Sequence, residues 1–257
     1  MRLAVPRCVL ITGATGSIGS ALAEEYASPG TTVILHGRDA ERLATVAAAA
    51  TRLGARVLTH ACDLRDARGL RDWLSALSAA EPIDLFIANA GVNINIGADG
   101  GGERWEATEA LLDINIKGTI AGVDAVLPAM RQRRYGQIAL ISSLAAFYGL
   151  PVTPSYCASK AALKVYGEAL RGWLQREGIR VNVVMPGYVE SAMCRAMPGP
   201  KPFLWPAKRA ARIIRRRLAA DQPRISFPIP LSWGSWWLSV IHPSVAGRIV
   251  RWLDYSA

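Results

Sequence analysis

The fold can be read from Cys8-Val9-Leu10-Ile11-Thr12-Gly13-Ala14-Thr15-Gly16-Ser17-Ile18-Gly19. Five strand-like residues run into a glycine turn, and a helical pattern over residues 18–27 begins where the turn ends. Glycines at such a turn let the backbone come close to a ligand, and the helix N-terminus aims its free N–H groups at an anion such as a pyrophosphate. Gly13, Thr15, Gly16, Ser17, Ile18 and Gly19 are therefore candidate dinucleotide contacts.

Working outward, strand and helix signals alternate. Strands are expected at 32–36, 56–59, 84–88, 137–141 and 179–184, and helices from 40 to a stop at Gly54, at 70–79 and over about 103–133. Continuous apolar strands between helices mean a parallel sheet covered on both faces, an α/β Rossmann-like doubly wound fold. With no linker, repeat or low-complexity tract, one domain is expected over 1–257, its core spanning about 5–195. After Gly187 prolines and tryptophans cluster, and this helical Trp/Pro-rich extension (196–257) is not read as another βα repeat.

The chain has 257 residues, is 51% hydrophobic and has a formal charge of +10. That composition supplies a sizeable core and excludes global disorder. Cys8, Cys62, Cys157 and Cys194 are scattered, as are His36, His60 and His242, so neither a disulfide framework nor a metal site is expected. No signal peptide is expected ahead of the first strand, and no apolar run reaches the roughly 20 residues of a membrane span. The chain is expected to be cytoplasmic.

Two further stretches carry chemistry. After the fifth strand come Ser142-Ser143, and then Thr153-Pro154-Ser155-Tyr156-Cys157-Ala158-Ser159-Lys160. Pro154 suits the first position of a helix that Thr153 can cap. Tyr156 and Lys160 then share one helical face a turn apart. An ammonium beside a phenol is expected to pull the phenol pKa down from about 10, giving a proton donor that works near neutral pH. Ser143 can hydrogen-bond the same substrate oxygen. The second strand ends in His36-Gly37-Arg38-Asp39, where an NAD enzyme carries an acidic residue about 20 positions past the glycines. Arg38 instead suits a 2′-phosphate, so NADP(H) is favoured over NAD(H), with Asp39 still able to serve a ribose.

With these pieces in view, residues 7–195 resemble the short-chain dehydrogenase/reductase family. The resemblance implies that Asp63-Leu64 contacts adenine and that Asn89-Ala90-Gly91 supports the cofactor turn. It implies that Asn115 holds a proton-relay water, and that Ser143, Tyr156 and Lys160 are catalytic. Pro186, Gly187, Val189 and Ser191 look like the segment that meets the nicotinamide. Two departures stand out: Ser17 replaces the usual middle glycine, giving a Gly13–Gly16–Gly19 spacing similar to that of sugar epimerases, and Ser191 replaces a threonine. The implied reaction is hydride transfer between nicotinamide and a carbonyl or alcohol, in a homodimer or homotetramer. The alternative is a catalytically silent nucleotide-sensing or scaffold protein of the same fold.

The tail carries a basic helix (about 206–220) and Trp233, Trp236, Trp237 and Trp252 among apolar residues. It looks like the tails of membrane-associated reductases for steroids, retinoids or sphingoid ketones, and the substrate implied is lipid-, steroid- or 3-oxoacyl-like. A bulky apolar carbonyl substrate is expected, and peripheral contact with an anionic membrane on its inner face. The charge alone also raises nucleic acid, but no reading motif accompanies it, and no nucleic-acid partner is expected.

Overall fold

The structure, a computed structural model, describes residues 5–97 and 100–253. The strands are β1 (Cys8–Thr12), β2 (Thr32–Gly37), β3 (Arg56–Ala61), β4 (Leu85–Ala88), β5 (Gly136–Ile141), β6 (Ile179–Pro186) and β7 (Arg224–Phe227). The earlier helices are α1 (Ser17–Tyr26), α2 (Ala40–Arg52), α3 (Ala67–Ala80), α4 (Trp105–Leu112), α5 (Thr119–Gln132) and α6 (Pro154–Leu174). Then come α7 (Ala192–Ala196), α8 (Ala207–Ala219), α9 (Ile229–Val240) and α10 (Pro243–Trp252).

All seven strands pair in parallel in one sheet of order β3-β2-β1-β4-β5-β6-β7. Alternate side chains of each strand face opposite layers. Val9, Ile11 and Leu35 pack with Leu22 of α1, Leu43 of α2 and Ile214 of α8. Leu10, Ile34 and Phe86 pack with Leu74 of α3, Val126 of α5 and Leu170 of α6. The order reverses between β1 and β4, and at such a switch point a crevice opens outside the C-terminal strand ends. Most candidate site residues named above lie on the loops and helix starts around it, while Pro186 ends β6 and Asn115 lies between α4 and α5.

The tail differs from the sequence expectation. It does contain a further βα unit: α8 leads into β7, which pairs with β6 in the register Val183↔Arg224 to Pro186↔Phe227. Four residues flanked by Pro223 and Pro228, with polar Arg224 and Ser226 among them, leave little strand pattern to read. Packing decides instead, because Ile225 and Phe227 are buried to within 1%. A buried polar network completes the unit. Gln137 donates through Nε2 to Asn182 Oδ1 (2.8 Å) and to the Leu218 carbonyl (2.9 Å). Asn182 donates through Nδ2 to Asp221 Oδ1 (3.0 Å), and Arg171 holds the same carboxylate through Nη1 at 2.8 Å.

Two smaller corrections concern helices. The stretch 103–133 is not one α-helix, because α4 and α5 are joined through a π turn at Asp113–Gly118. Thr153 occupies the N-cap position of α6 but does not cap it. Its hydroxyl lies 2.6 Å from both Asn93 Oδ1 and the Ile94 carbonyl. The Glu103 carboxylate caps the helix instead, accepting from the Ser155 N–H at 3.1 Å and from the Ser155 hydroxyl.

Candidate active site

A cleft of about 1110 Å³ runs across the C-terminal ends of the strands. It is lined by the glycine turn, the ends of β2 to β6, the start of α6, and residues of α7, α9 and α10. Eighteen of the twenty residues assigned from sequence line it; Gly19 and Asn115 stand behind its wall.

At the nucleotide end, Gly13 adopts φ +63°, a conformation that L side chains rarely reach. Asn89 holds this turn from below, donating through Nδ2 to the Thr12 and Gly13 carbonyls, each at 3.0 Å. Gly16 takes the N-cap position of α1 and has no side chain to cap it, so the first N–H groups stay available to an anion. Ser17 lies beside it on the cleft wall, so a serine here leaves the backbone donors of the turn accessible. Gly19 is buried against the Gly13 carbonyl and serves packing.

Asp39 is spent within the protein: its Oδ1 caps α2 by accepting from the Arg42 N–H at 3.0 Å, and it does not line the cleft. Arg38 and Arg42 do line it, both exposed, and Arg42 donates through Nη2 to the Thr15 carbonyl at 3.0 Å. Arg42 was missed from sequence. Its signal was Asp39 as an N-cap, which puts residue 42 in the first turn of α2, beside the glycine turn. Asp63 accepts a forked pair of bonds from Arg65, at 3.0 and 2.7 Å, and this guanidinium holds its carboxyl below the usual carboxylate range. An uncapped helix start and two guanidinium groups form a donor set that fits a phosphorylated dinucleotide.

In the middle of the cleft, Ser143, Tyr156 and Lys160 come together. The Lys160 ammonium, 4% exposed, donates to the Ile141 carbonyl at 2.9 Å and lies 5.6 Å from the Tyr156 ring centroid. Ser142 fixes the same turn of α6 by donating to the Lys160 carbonyl at 2.7 Å. Lys160 and Asn115 approach Gly91 so closely that a Cβ there would stand 3.1 Å from Nζ and 3.2 Å from Asn115 Oδ1. The Asn115 amide is occupied within the protein: Oδ1 accepts from Val92 N–H (2.8 Å), and Nδ2 donates to the Val92 carbonyl (2.9 Å) and Ser159 Oγ (3.0 Å).

The expected fall in the phenol pKa does not occur. Burial pushes the Tyr156 phenol up to about 12, and its hydrogen bond with Ser143 only partly offsets this. Burial also lowers the Lys160 ammonium to about 8. The ammonium points at the Ile141 carbonyl, and in this site desolvation outweighs the neighbouring charge.

Beyond these residues the cleft turns apolar, walled by Met193, Met197 and Phe203 on one side and Leu231, Trp237 and Leu238 on the other. The loop after α7 is clasped shut where Trp205 accepts from Glu190 N–H and donates to the Tyr188 carbonyl, both at 3.0 Å.

The family model for short chain dehydrogenase matches residues 7–199. An uncharacterized oxidoreductase of Myxococcus xanthus is 34% identical over 229 residues, covering 88% of this chain and 89% of the relative. A 3-oxoacyl-[acyl-carrier-protein] reductase of Rickettsia conorii is 33% identical, covering 72% and 73%. Among solved structures, a short-chain dehydrogenase from Sphingobium yanoikuyae in complex with NADPH superposes with a TM-score of 0.80 at 25% identity, covering 91% and 96%. One from Burkholderia cenocepacia in complex with NADP has the same TM-score and identity, covering 96% and 98%. The chain belongs to the short-chain dehydrogenase family of oxidoreductases.

Proposed function

We propose that the protein is an NADP(H)-dependent oxidoreductase acting on the carbonyl or alcohol carbon of a bulky apolar substrate. One observation carries this reading: a single cleft holds Arg38 and Arg42 at one end, Ser143, Tyr156 and Lys160 in the middle, and an apolar chamber at the other. The NADPH and NADP bound by the Sphingobium and Burkholderia proteins support the cofactor choice.

Bound along the cleft, the cofactor would supply or accept the hydride. Arg38 and Arg42 would hold its 2′-phosphate, and the α1 N-terminus its pyrophosphate. Asp63 and Leu64 would border the adenine, with Asn89, Ala90 and Gly91 beneath the turn. Pro186, Gly187, Val189 and Ser191 would flank the nicotinamide. The Ser143 hydroxyl would donate a hydrogen bond to the substrate oxygen as negative charge grows there, and Tyr156 Oη would transfer its proton to that oxygen. Lys160 would return a proton to Tyr156. Asn115 acts by fixing the Gly91-Val92 turn behind Lys160, so a relay water would be held by its main chain rather than its amide.

We also read the 257 residues as one working unit, residues 5–195 holding the cofactor and 196–257 closing over the substrate. The active form would be a homodimer or homotetramer, seated peripherally on an anionic membrane and exposed to the cytoplasm. The test is a titration of the purified protein with NADPH and NADH by nicotinamide fluorescence, followed by turnover on a panel of ketones. Tighter NADPH binding and reduction of bulky apolar ketones are expected. NADH preference would sink the two-arginine reading, and saturable NADPH binding without turnover would favour the silent scaffold.

A further inference from the structure

The C-terminal helices leave a large apolar surface uncovered. Along α9, Ile229, Trp233, Trp237 and Val240 are all more than half exposed and repeat at helical spacing on one face. Trp236 joins them, its ring 6.1 Å from Trp233 and 5.5 Å from Trp237, edge to face in both cases. On α10, Val245 and Trp252 are exposed, Trp252 to 82%. Contiguous apolar patches of this kind mark interaction sites. The patch is also continuous with the cleft: Met193, Phe203, Trp237 and Leu253 are each exposed and each line it.

Charge indicates what covers this face. Residues 191–257 contain eleven of the thirty Lys and Arg and two of the twenty Asp and Glu, so they carry +9 of the net +10. One of those acids, Asp221, is held by Arg171 beside the sheet's polar network. The basic helix α8 is largely committed elsewhere. Its Ala210, Ala211, Ile214 and Leu218 are buried, Lys208 pairs with Glu24, and Arg212 and Arg215 pair with Glu25 of α1. On α10 itself Arg248 and Arg251 are exposed beside Val245 and Trp252, and Arg195 of α7 is exposed two residues from Met193.

We propose that the outer faces of α9 and α10 dock on an anionic lipid surface, with the apolar end of the cleft opening into the docked face, so that substrate enters from the bilayer. The substrate clause rests on the oxidoreductase reading above; the docking deepens the membrane contact proposed there and stands apart from that chemistry. Tryptophans beside arginines match the headgroup boundary, where the rings sit among apolar chains and the cations meet lipid phosphates. At about 1.5 Å per residue the twelve residues of α9 reach roughly 18 Å, too short to span a bilayer but suited to lying in its surface. Among the described residues no helix is long and apolar enough to cross a membrane. A second copy is a poorer occupant, because a two-fold interface here would set one arginine-bearing face against another.

The experiment is co-sedimentation of the full-length protein with vesicles of phosphatidylcholine alone and of phosphatidylcholine mixed with phosphatidylserine. Binding to the mixed vesicles should exceed binding to neutral ones by about tenfold or more. Trp233→Ser, Trp236→Ser and Trp252→Ser lie outside the cleft wall. Combined, they should weaken vesicle binding by more than about tenfold and leave NADPH affinity unchanged, which also reports that the variant is folded. Arg248→Gln and Arg251→Gln should each cost roughly fivefold on mixed vesicles. Lys208→Gln with Arg212→Gln should cost less than about twofold, since these charges already face α1. Wild-type protein left in the supernatant with both vesicles overturns the proposal, as does a triple tryptophan variant that binds like wild type. A triple variant that loses a dimer in sedimentation velocity assigns the face to a second copy instead. NADPH binding without vesicle binding sinks the docking and spares the oxidoreductase reading. Vesicle binding with no turnover on any ketone does the reverse.

Discussion

At the nucleotide end of the cleft several polar groups are already held, Asn89 on the glycine turn, Arg65 on Asp63 and Arg42 on Thr15, while Asp39 fixes the start of α2 beside it. At the apolar end, side chains such as Phe203, Leu231 and Trp237 meet over space, and the loop carrying Phe203 is clasped mainly by its backbone bonds at Trp205. The first arrangement is partly pre-organised, because the glycine turn and Arg42 are fixed before binding and less ordering entropy is lost. The second selects by size and apolarity, which discriminates weakly, at about 1–3 kcal/mol per methylene-sized difference. On the proposed function, such a protein would read its cofactor strictly and its substrate loosely.

Substitutions at the two ends test that contrast. The largest effect is expected between them, at Tyr156→Phe, which should lower turnover by about a thousandfold while NADPH fluorescence titrates as before. Unimpaired turnover would remove Tyr156 from the reaction. Replacing either Arg38 or Arg42 by Ala should weaken NADPH binding by roughly 10–100-fold and NADH binding little, since one charge-assisted hydrogen bond is worth about 1.5–3 kcal/mol. Equal losses for both nucleotides would mean that the arginines support the turn and do not read the phosphate. Ketone reduction should also fall as pH rises through the Lys160 value of about 8, by roughly tenfold between pH 7 and 9. The sign follows from loss of the ammonium, while Tyr156, held near 12, keeps its proton throughout. A rate that climbs over that range would break the assignment. The smallest effect is expected at Phe203→Ala, on the exposed rim: a rise of roughly fivefold in KM for a bulky ketone, with NADPH affinity untouched. If that variant altered cofactor affinity, the two ends would not be separable.

The same contrast governs what could be read from sequence. The nucleotide end and the catalytic stretch depend on local rules: a glycine turn between strand and helix, Tyr156 and Lys160 four residues apart, Ser143 at a strand end. These were legible. What escaped depends on distant contacts. Glu103 caps α6 from 52 residues away, a role that Thr153 was expected to fill. β7 owes its existence to the buried positions waiting for Ile225 and Phe227. The pKa values of Tyr156 and Lys160 follow burial, which spacing does not reveal. Arg42 was within reach, since Asp39 already marked the start of α2.

The polar network under β5, β6 and α8 has a consequence for how the chain matures. Gln137 and Asn182 sit in strands that are complete long before Asp221 and the Leu218 carbonyl exist to satisfy them. While the chain is still being made, the outer edge of β6 and these two amides must stay wet. The apolar positions later filled by Ile214, Leu218 and Phe227 remain open for the same interval. A nascent chain stopped after α7 therefore carries the whole nucleotide turn and the catalytic tyrosine on a sheet that cannot yet close, and holdase chaperones would find their binding surface along β6.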